Sequence, residues 1–127
     1  MVVFPYKENL VFDMEIIRKS EKRVVKPTPL VEIHEYDTED GFVSGGTAII
    51  KGRYPEVGYV TNEVLKELVY VLSGSGKLIM LNETVEFSEG DVLFIDHKEV
   101  FAWEGDMVLF MATTPKFDPA QHKEVDA

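Results

Sequence analysis

Between Glu67 and Trp103 apolar and polar positions alternate in short runs divided by turn-forming residues, which is the rhythm of β-structure. Leu68 to Leu72 is a β-branched and aromatic run closed by Ser73-Gly74-Ser75-Gly76, and Lys77 to Leu81 follows at once. The pattern predicts a hairpin whose loop uses glycine for positive φ. Asn82-Glu83 predicts a turn into Thr84 to Phe87, and Ser88-Glu89-Gly90-Asp91 a second turn into Val92 to Ile95. After Trp103, Glu104-Gly105-Asp106 reads as a turn into a last apolar strand, Met107 to Thr113, which Pro115 ends.

Upstream, Leu30 to Tyr36 has the period-two pattern of a half-buried strand. Glu32, His34 and Tyr36 share one of its faces, either lumen or outside. Val24 to Pro29 carries two prolines and reads as a connector, because each proline lacks a ladder donor. Phe42-Val43 and Thr47 to Ile50 read as strands flanking Ser44-Gly45-Gly46, where paired glycines imply a bulge or a close backbone approach. Lys51 to Asn62 reads as a loop. Val2 to Asp13 carries apolar residues without helical spacing, and Met14 to Ile17 suggests a short edge strand or a single turn. In the tail, Asp118 suits an N-cap and Pro119 the first position of one helical turn.

A chain of 127 residues implies one domain. It can bury roughly two-thirds of its unfolded surface without disulfides or a structural metal. The absence of cysteine removes thiol nucleophiles and thiolate metal sites, and it fits a reducing cytoplasm, the expected location. Met1 to Tyr6 lacks a basic region followed by a long apolar run, and no apolar stretch is long enough for a bilayer, so no membrane partner is expected. The net charge of −10, from 23 acidic and 13 basic residues, works against nucleic acid, whose phosphates demand clustered Lys and Arg. The one basic cluster, Arg18 to Arg23, is interrupted by Glu21 and reads as solvated surface.

Glu67, six residues and then Gly74, in the setting ELVYVLSGSG, resembles the first motif of the cupin family, and Gly90-Asp91 before VLFID resembles the start of its second. The resemblance covers Val60 to Pro115, and TTPKFDPAQH is similar to the end of many small bacterial cupins. It implies an all-β chain folded as a double-stranded β-helix, the jelly-roll cupin barrel, in one domain over 1–127. N-terminal strands would occupy 1–57, the barrel core 58–115 and the tail 116–127. The family pattern also implies a divalent metal held by three histidines and the glutamate. In this sequence Thr61 and Glu63, or Val60 and Asn62, stand where the first two histidines belong, and Phe101 where the third belongs. A phenyl ring offers no lone pair, so neither a metal nor another cofactor is expected.

If Glu67 faces inward, as the resemblance implies, Val69 and Val71 share its side. A carboxyl among apolar side chains has a raised pKa suited to proton transfer. Alternatively it bonds a neighbouring strand or pairs with Lys66 or Lys98 at the rim. Phe101 and Trp103 also share a face, as an aromatic lining able to stack a ring or as plain core packing. Tyr54, Tyr59, Arg53 and Lys66 are the loop residues placed to contact a ligand. His97, in the turn Asp96 to Glu99, is exposed unless that loop folds over the barrel mouth, and His122 is expected at the surface of the tail. The candidate ligand-binding set is therefore Glu63, Glu67, Val69, Val71, Phe101, Trp103, Tyr59 and His97, with Glu67 as the candidate catalytic group.

Two functions fit this set. The preferred one is a metal-free binding or regulatory barrel for a small organic ligand. The alternative is a metal-independent isomerase, epimerase or lyase acting on a sugar or small carboxylate, with Glu67 as acid or base and His97 or a tyrosine as partner. A homodimer is expected, because the apolar side chains of Val2 to Ile17 exceed what a small barrel can bury.

Overall fold

The computed structural model describes residues 14–126. Residues 1–13 and 127 lie outside that range, and with them the expectation for Val2 to Asp13. Nine strands follow in chain order: β1 Arg23–Thr28, β2 Val31–Tyr36, β3 Ser44–Tyr54, β4 Tyr59–Asn62, β5 Lys66–Met80, β6 Thr84–Ser88, β7 Val92–Ile95, β8 Val100–Thr114 and β9 His122–Val125. Single 3-10 turns at Lys19–Glu21 and Pro119–Gln121 are the only helical segments among the described residues. No helix among the described residues is long and apolar enough to cross a membrane. All nine strands belong to one curled antiparallel sheet.

The axis of the sheet is β8. One edge of it pairs with β3 along eleven positions, from Ser44 opposite Thr113 to Tyr54 opposite Trp103. β4 then continues that edge, placing Val60 opposite Phe101. The other edge pairs with β5, from Lys66 opposite Thr114 to Met80 opposite Phe101. Beyond β5 lie β7 and β6 in line, and beyond β3 lie β2 and β1. Alternation sends Val69, Val71, Leu109, Met107, Trp103, Phe101, Ala48 and Ile50 to the concave face, where they form the core with Val31, Leu78 and Phe87. Trp103 meets Phe87 and Phe101 edge to face, at centroid separations of 5.7 and 6.1 Å.

The hairpin expected at Ser73 to Gly76 does not form. β5 runs unbroken for fifteen residues, and β8 likewise passes straight through Glu104-Gly105-Asp106. The glycines serve a different purpose. Gly74 (φ +82°) pairs with Met107, and Gly76 pairs with Gly105. A Cβ on Gly74 would lie 2.1 Å from the Asp106 carbonyl oxygen, and one on Gly76 2.6 Å from that of Glu104. These positions therefore let two long strands bend together with their backbones in close approach, and the register shift between Val71 and Ser73 adds to the curl.

Other expectations change as well. Val24 to Pro29 is largely an edge strand rather than a connector, and Pro27 falls where the β1–β2 register breaks, which is where a missing donor is tolerated. β3 passes through Gly45-Gly46 without a break, with Gly46 in close backbone approach to the His34 carbonyl oxygen. Most of the expected loop 51–62 is strand, because β8 offers it a continuous partner. Residues 14–17 form neither strand nor turn. Glu32, His34 and Tyr36 lie on the outer face, opposite in direction to Val31 and Ile33.

Candidate functional site

One end of the barrel gathers the last residue of β4, the start of β5, the end of β3 and the junction into β9. β9 pairs with β4, so that His122 stands opposite Asn62. This pairing brings the tail onto the first motif. Asp118 caps the preceding turn by accepting from the Ala120 N–H at 3.0 Å, with Pro119 next to it.

Glu67 is buried, and its Oε1 accepts from Asn62 Nδ2 at 2.6 Å. Asn62 Oδ1 accepts from Gln121 Nε2 at 2.9 Å and from His122 Nδ1 at 2.8 Å. Because that oxygen can only accept, His122 carries its proton on Nδ1, and its Nε2 accepts from the Tyr54 hydroxyl at 3.0 Å. Gln121 also turns its Oε1 toward the N–H groups of Val64 and Leu65, at 3.2 and 3.3 Å, and so ties down the turn between β4 and β5. The Asn62 amide and both nitrogens of the His122 ring are thus committed. Glu67 Oε2 is the exception: it is buried and has no hydrogen-bond partner among the described residues.

Burial sets the charge states. Loss of solvent pushes the Glu67 carboxyl up to about 7, against the opposing pull of the Asn62 hydrogen bond. Burial lowers the pKa of His122, opposed by Glu124, and raises that of Tyr54, with Glu124 and Glu67 adding to the rise. Burial thus favours the protonated carboxyl and the neutral imidazole, joined through one amide.

Among the residues expected to bind a ligand, Glu67, Val69, Val71, Phe101 and Trp103 all face inward, and the last four are packed in the core. Tyr59 points to the opposite side of β4 from the buried Val60 and Asn62, with the Arg53 guanidinium 5.7 Å above its ring. Glu63 is exposed. His97 is exposed too, its Nδ1 on Asp96 Oδ1 at 2.8 Å, and the structure does not bring it to Glu67. His122, expected at the surface, is instead half-buried within the cluster, and Asn62 and Gln121 were missed as site residues. The asparagine at a family histidine position was the available signal.

The donor set does not fit the family metal. Asn62 and Glu67 point together, but Val60 and Phe101 fill the remaining positions with hydrocarbon, and both His122 nitrogens are engaged by Asn62 and Tyr54. No group of three or more His, Cys, Asp or Glu among the described residues is arranged to hold an ion. An open surface depression of about 630 Å³ lies elsewhere, at the glycine bend, edged by Glu86, Asp91, Glu104 and Asp106. The one cation along its edge, Lys77, is paired with Glu104 at 3.2 Å. It shares no residue with the buried cluster.

The fold is that of the cupin-type small barrels. No protein-family model and no curated protein matches the sequence. Among solved structures, the chain is similar to Streptomyces Pac13, described as a unique nucleoside dehydratase, at TM-score 0.79 and 15% identity over 89% of this chain and 92% of that one. Variants of Pac13 have been solved with uridine. It is also similar to the polyketide cyclase RemF of Streptomyces resistomycificus, at TM-score 0.69 and 13% identity over 90% and 87% of the two chains. An RmlC-like cupin from Shewanella frigidimarina matches at TM-score 0.66 and 12% identity over 81% and 92%. At these identities the likeness establishes the fold.

Proposed function

We propose that this protein is a metal-independent cupin barrel that receives a small polar organic molecule at the end where Glu67, Asn62, His122 and Tyr54 meet. The observation that carries this reading is Glu67 Oε2, a buried carboxyl oxygen without a partner among the described residues, in a cluster whose other groups are hydrogen-bonded. Leaving such an atom unpaired costs about 1–3 kcal/mol, more when charged, and a ligand hydroxyl or amide would offset that cost.

A second reading, a lyase or isomerase, is favoured by one specific feature. Proton-transfer chemistry needs two groups of opposite role. His122, a neutral imidazole with Tyr54 on its Nε2, supplies the second beside a carboxyl held near neutrality. In this scheme Glu67 donates as a carboxylic acid, and the Tyr54 hydroxyl accepts as it passes its own proton to His122 Nε2.

A thermal-shift screen over sugars, sugar phosphates, small carboxylates, aromatic metabolites and nucleosides tests both, since a ligand of the folded state raises the melting temperature by mass action. Nucleosides are included because Pac13 has been solved with uridine. A hit lost in Glu67→Gln supports binding at the cluster. A hit that is turned over, with turnover abolished but binding kept in Glu67→Gln, moves the conclusion to the enzyme. Hits that bind Glu67→Gln and Tyr54→Phe as well as the parent chain, without turnover, refute the site.

A further inference from the structure

The row of the sheet that carries Glu67 holds two more buried polar side chains. Register sets Ser44 on β3, Thr113 on β8 and Glu67 on β5 side by side, and such cross-strand partners point to one face of a sheet with Cβ atoms about 5 Å apart. All three are at least nine-tenths buried. Further along the same face the rows are apolar, as in Ala48, Leu109 and Val71. Ser44 Oγ and Thr113 Oγ1 lie 2.6 Å apart, and Ser44 Oγ also accepts from the Phe117 N–H at 3.0 Å. The Phe117 ring in turn meets the His122 ring edge to face, at a centroid separation of 6.2 Å. The tail therefore ties the hydroxyl pair and the Asn62–His122 cluster to one end of the barrel.

A count of hydrogens leaves one over. Two hydroxyls carry two hydrogens; one is spent between them, and among the described residues the other has no acceptor. With Ser44 donating to Thr113, the spare hydrogen sits on Thr113, beside Glu67. When Glu67 is protonated its proton belongs on Oε2, because Oε1 faces the Asn62 donor. Two donors thus stand side by side in the row, and they do not bond each other.

We infer that Thr113 is a specificity-determining residue of this site and that the group received there is a neutral carbonyl oxygen, accepting from Thr113 Oγ1 and Glu67 Oε2 together. The inference rests on the reading that a ligand enters at Glu67, and it narrows that ligand to a small aldehyde, ketone or amide. A carbonyl oxygen has two lone pairs and no hydrogen of its own. An alcohol would bring a hydrogen to a cluster whose acceptors are taken: Asn62 Oδ1 by Gln121 and His122, His122 Nε2 by Tyr54, and Gln121 Oε1 by Val64 and Leu65. A carboxylate would bring a buried negative charge to a cluster that contains neither Lys nor Arg. Ser44 positions Thr113, so the bonds run one way, from Ser44 to Thr113 to the ligand, each polarising the next.

Cyclopentanone and cyclopentanol, alike except for C=O against CH–OH, are the probes, titrated into the full chain near pH 6 by calorimetry or NMR. Cyclopentanone should bind the parent at least about 5-fold more tightly than cyclopentanol. Thr113→Val should weaken cyclopentanone about 10-fold and move the infrared carbonyl stretch of the bound ketone to higher frequency, as one donor is lost, and Thr113→Ser should restore both. Thr113→Cys, a weaker donor, stands in if the valine variant fails to fold. Glu67→Gln, which exchanges an acid donor for a weaker amide donor, should also weaken the ketone. Ketone binding that is weakened by Glu67→Gln but unmoved by Thr113→Val overturns this inference and leaves the site at Glu67 standing. An alcohol that binds as tightly as the ketone does the same. Binding unmoved by either substitution overturns both readings. A parent chain that binds neither probe at millimolar concentration overturns the carbonyl inference, while the wider ligand screen still decides the site.

Discussion

Replacing Glu67 by glutamine removes the one buried acid of the cluster and leaves its shape intact. The substituted side chain still presents an oxygen to Asn62 Nδ2, and its amide nitrogen takes the place of the unpartnered Oε2. The variant should therefore differ from the parent mainly in proton linkage. In the folded chain the carboxyl is pushed from 4.5 to about 7, so between those values the folded state keeps a proton that the unfolded chain has released. The unfolded state then binds fewer protons, and stability falls as pH rises through this window and levels off above it. At about 1.36 kcal/mol for each factor of ten in the ionisation constant, the loss is about 3 kcal/mol. With an unfolding entropy of about 2.1 cal/mol/K per residue, that corresponds to about 11 °C in a chain of 127 residues. Calorimetric melting at pH 4.5, 6 and 8.5 is the assay. Glu67→Gln should melt within a degree or two of the parent at pH 4.5 and about 11 °C above it at pH 8.5. A difference independent of pH, or one favouring the parent at high pH, would refute the placement of this carboxyl in a dry interior.

His122 works in the opposite direction: its folded pKa is lowered by burial, so the unfolded chain takes up a proton near pH 6.5 that the folded chain refuses, and stability falls as pH drops below that value. His122→Gln should flatten this acid limb, read from melting temperatures between pH 7 and 4.5. Gln121→Ala leaves the buried Leu65 N–H and the part-buried Val64 N–H without their acceptor, removes one of the two donors to Asn62 Oδ1, and should cost about 1–3 kcal/mol in urea unfolding at pH 7. Gly74→Ala should cost more than about 3 kcal/mol or prevent folding, because its Cβ meets the Asp106 carbonyl; Gly90→Ala, with nothing within 4 Å, should cost about 1 kcal/mol from its positive φ alone.

Strand character was legible wherever alternation is strong. Val31–Tyr36 lies within a residue of where period-two patterning put it, Val92–Ile95 falls where the turn at Ser88 to Asp91 put it, and the Asp118-Pro119 turn follows from local chemistry alone. The inward direction of Glu67, Val69 and Val71 also follows from alternation, once one of the three is known to be core. Local pattern misled at glycine. In a single sequence Ser73-Gly74-Ser75-Gly76 has the composition of a hairpin loop, and only the partner strand reveals that these glycines make room for Asp106 and Glu104.

What the sequence determined by itself is the all-β class, the acidic net charge and the loss of imidazole at the positions where the cupin pattern holds its metal. Those follow from residue identity and from periodicities spanning a few residues. The composition of the site was decided by tertiary structure. Asn62 and His122 are sixty positions apart and meet because β9 pairs with β4, and Tyr54 reaches the same ring because β3 and β4 share one edge of β8. A histidine in a charged tail carries no mark of its future neighbours: its burial, its tautomer and its lowered pKa are properties of the enclosure that long-range strand pairing creates.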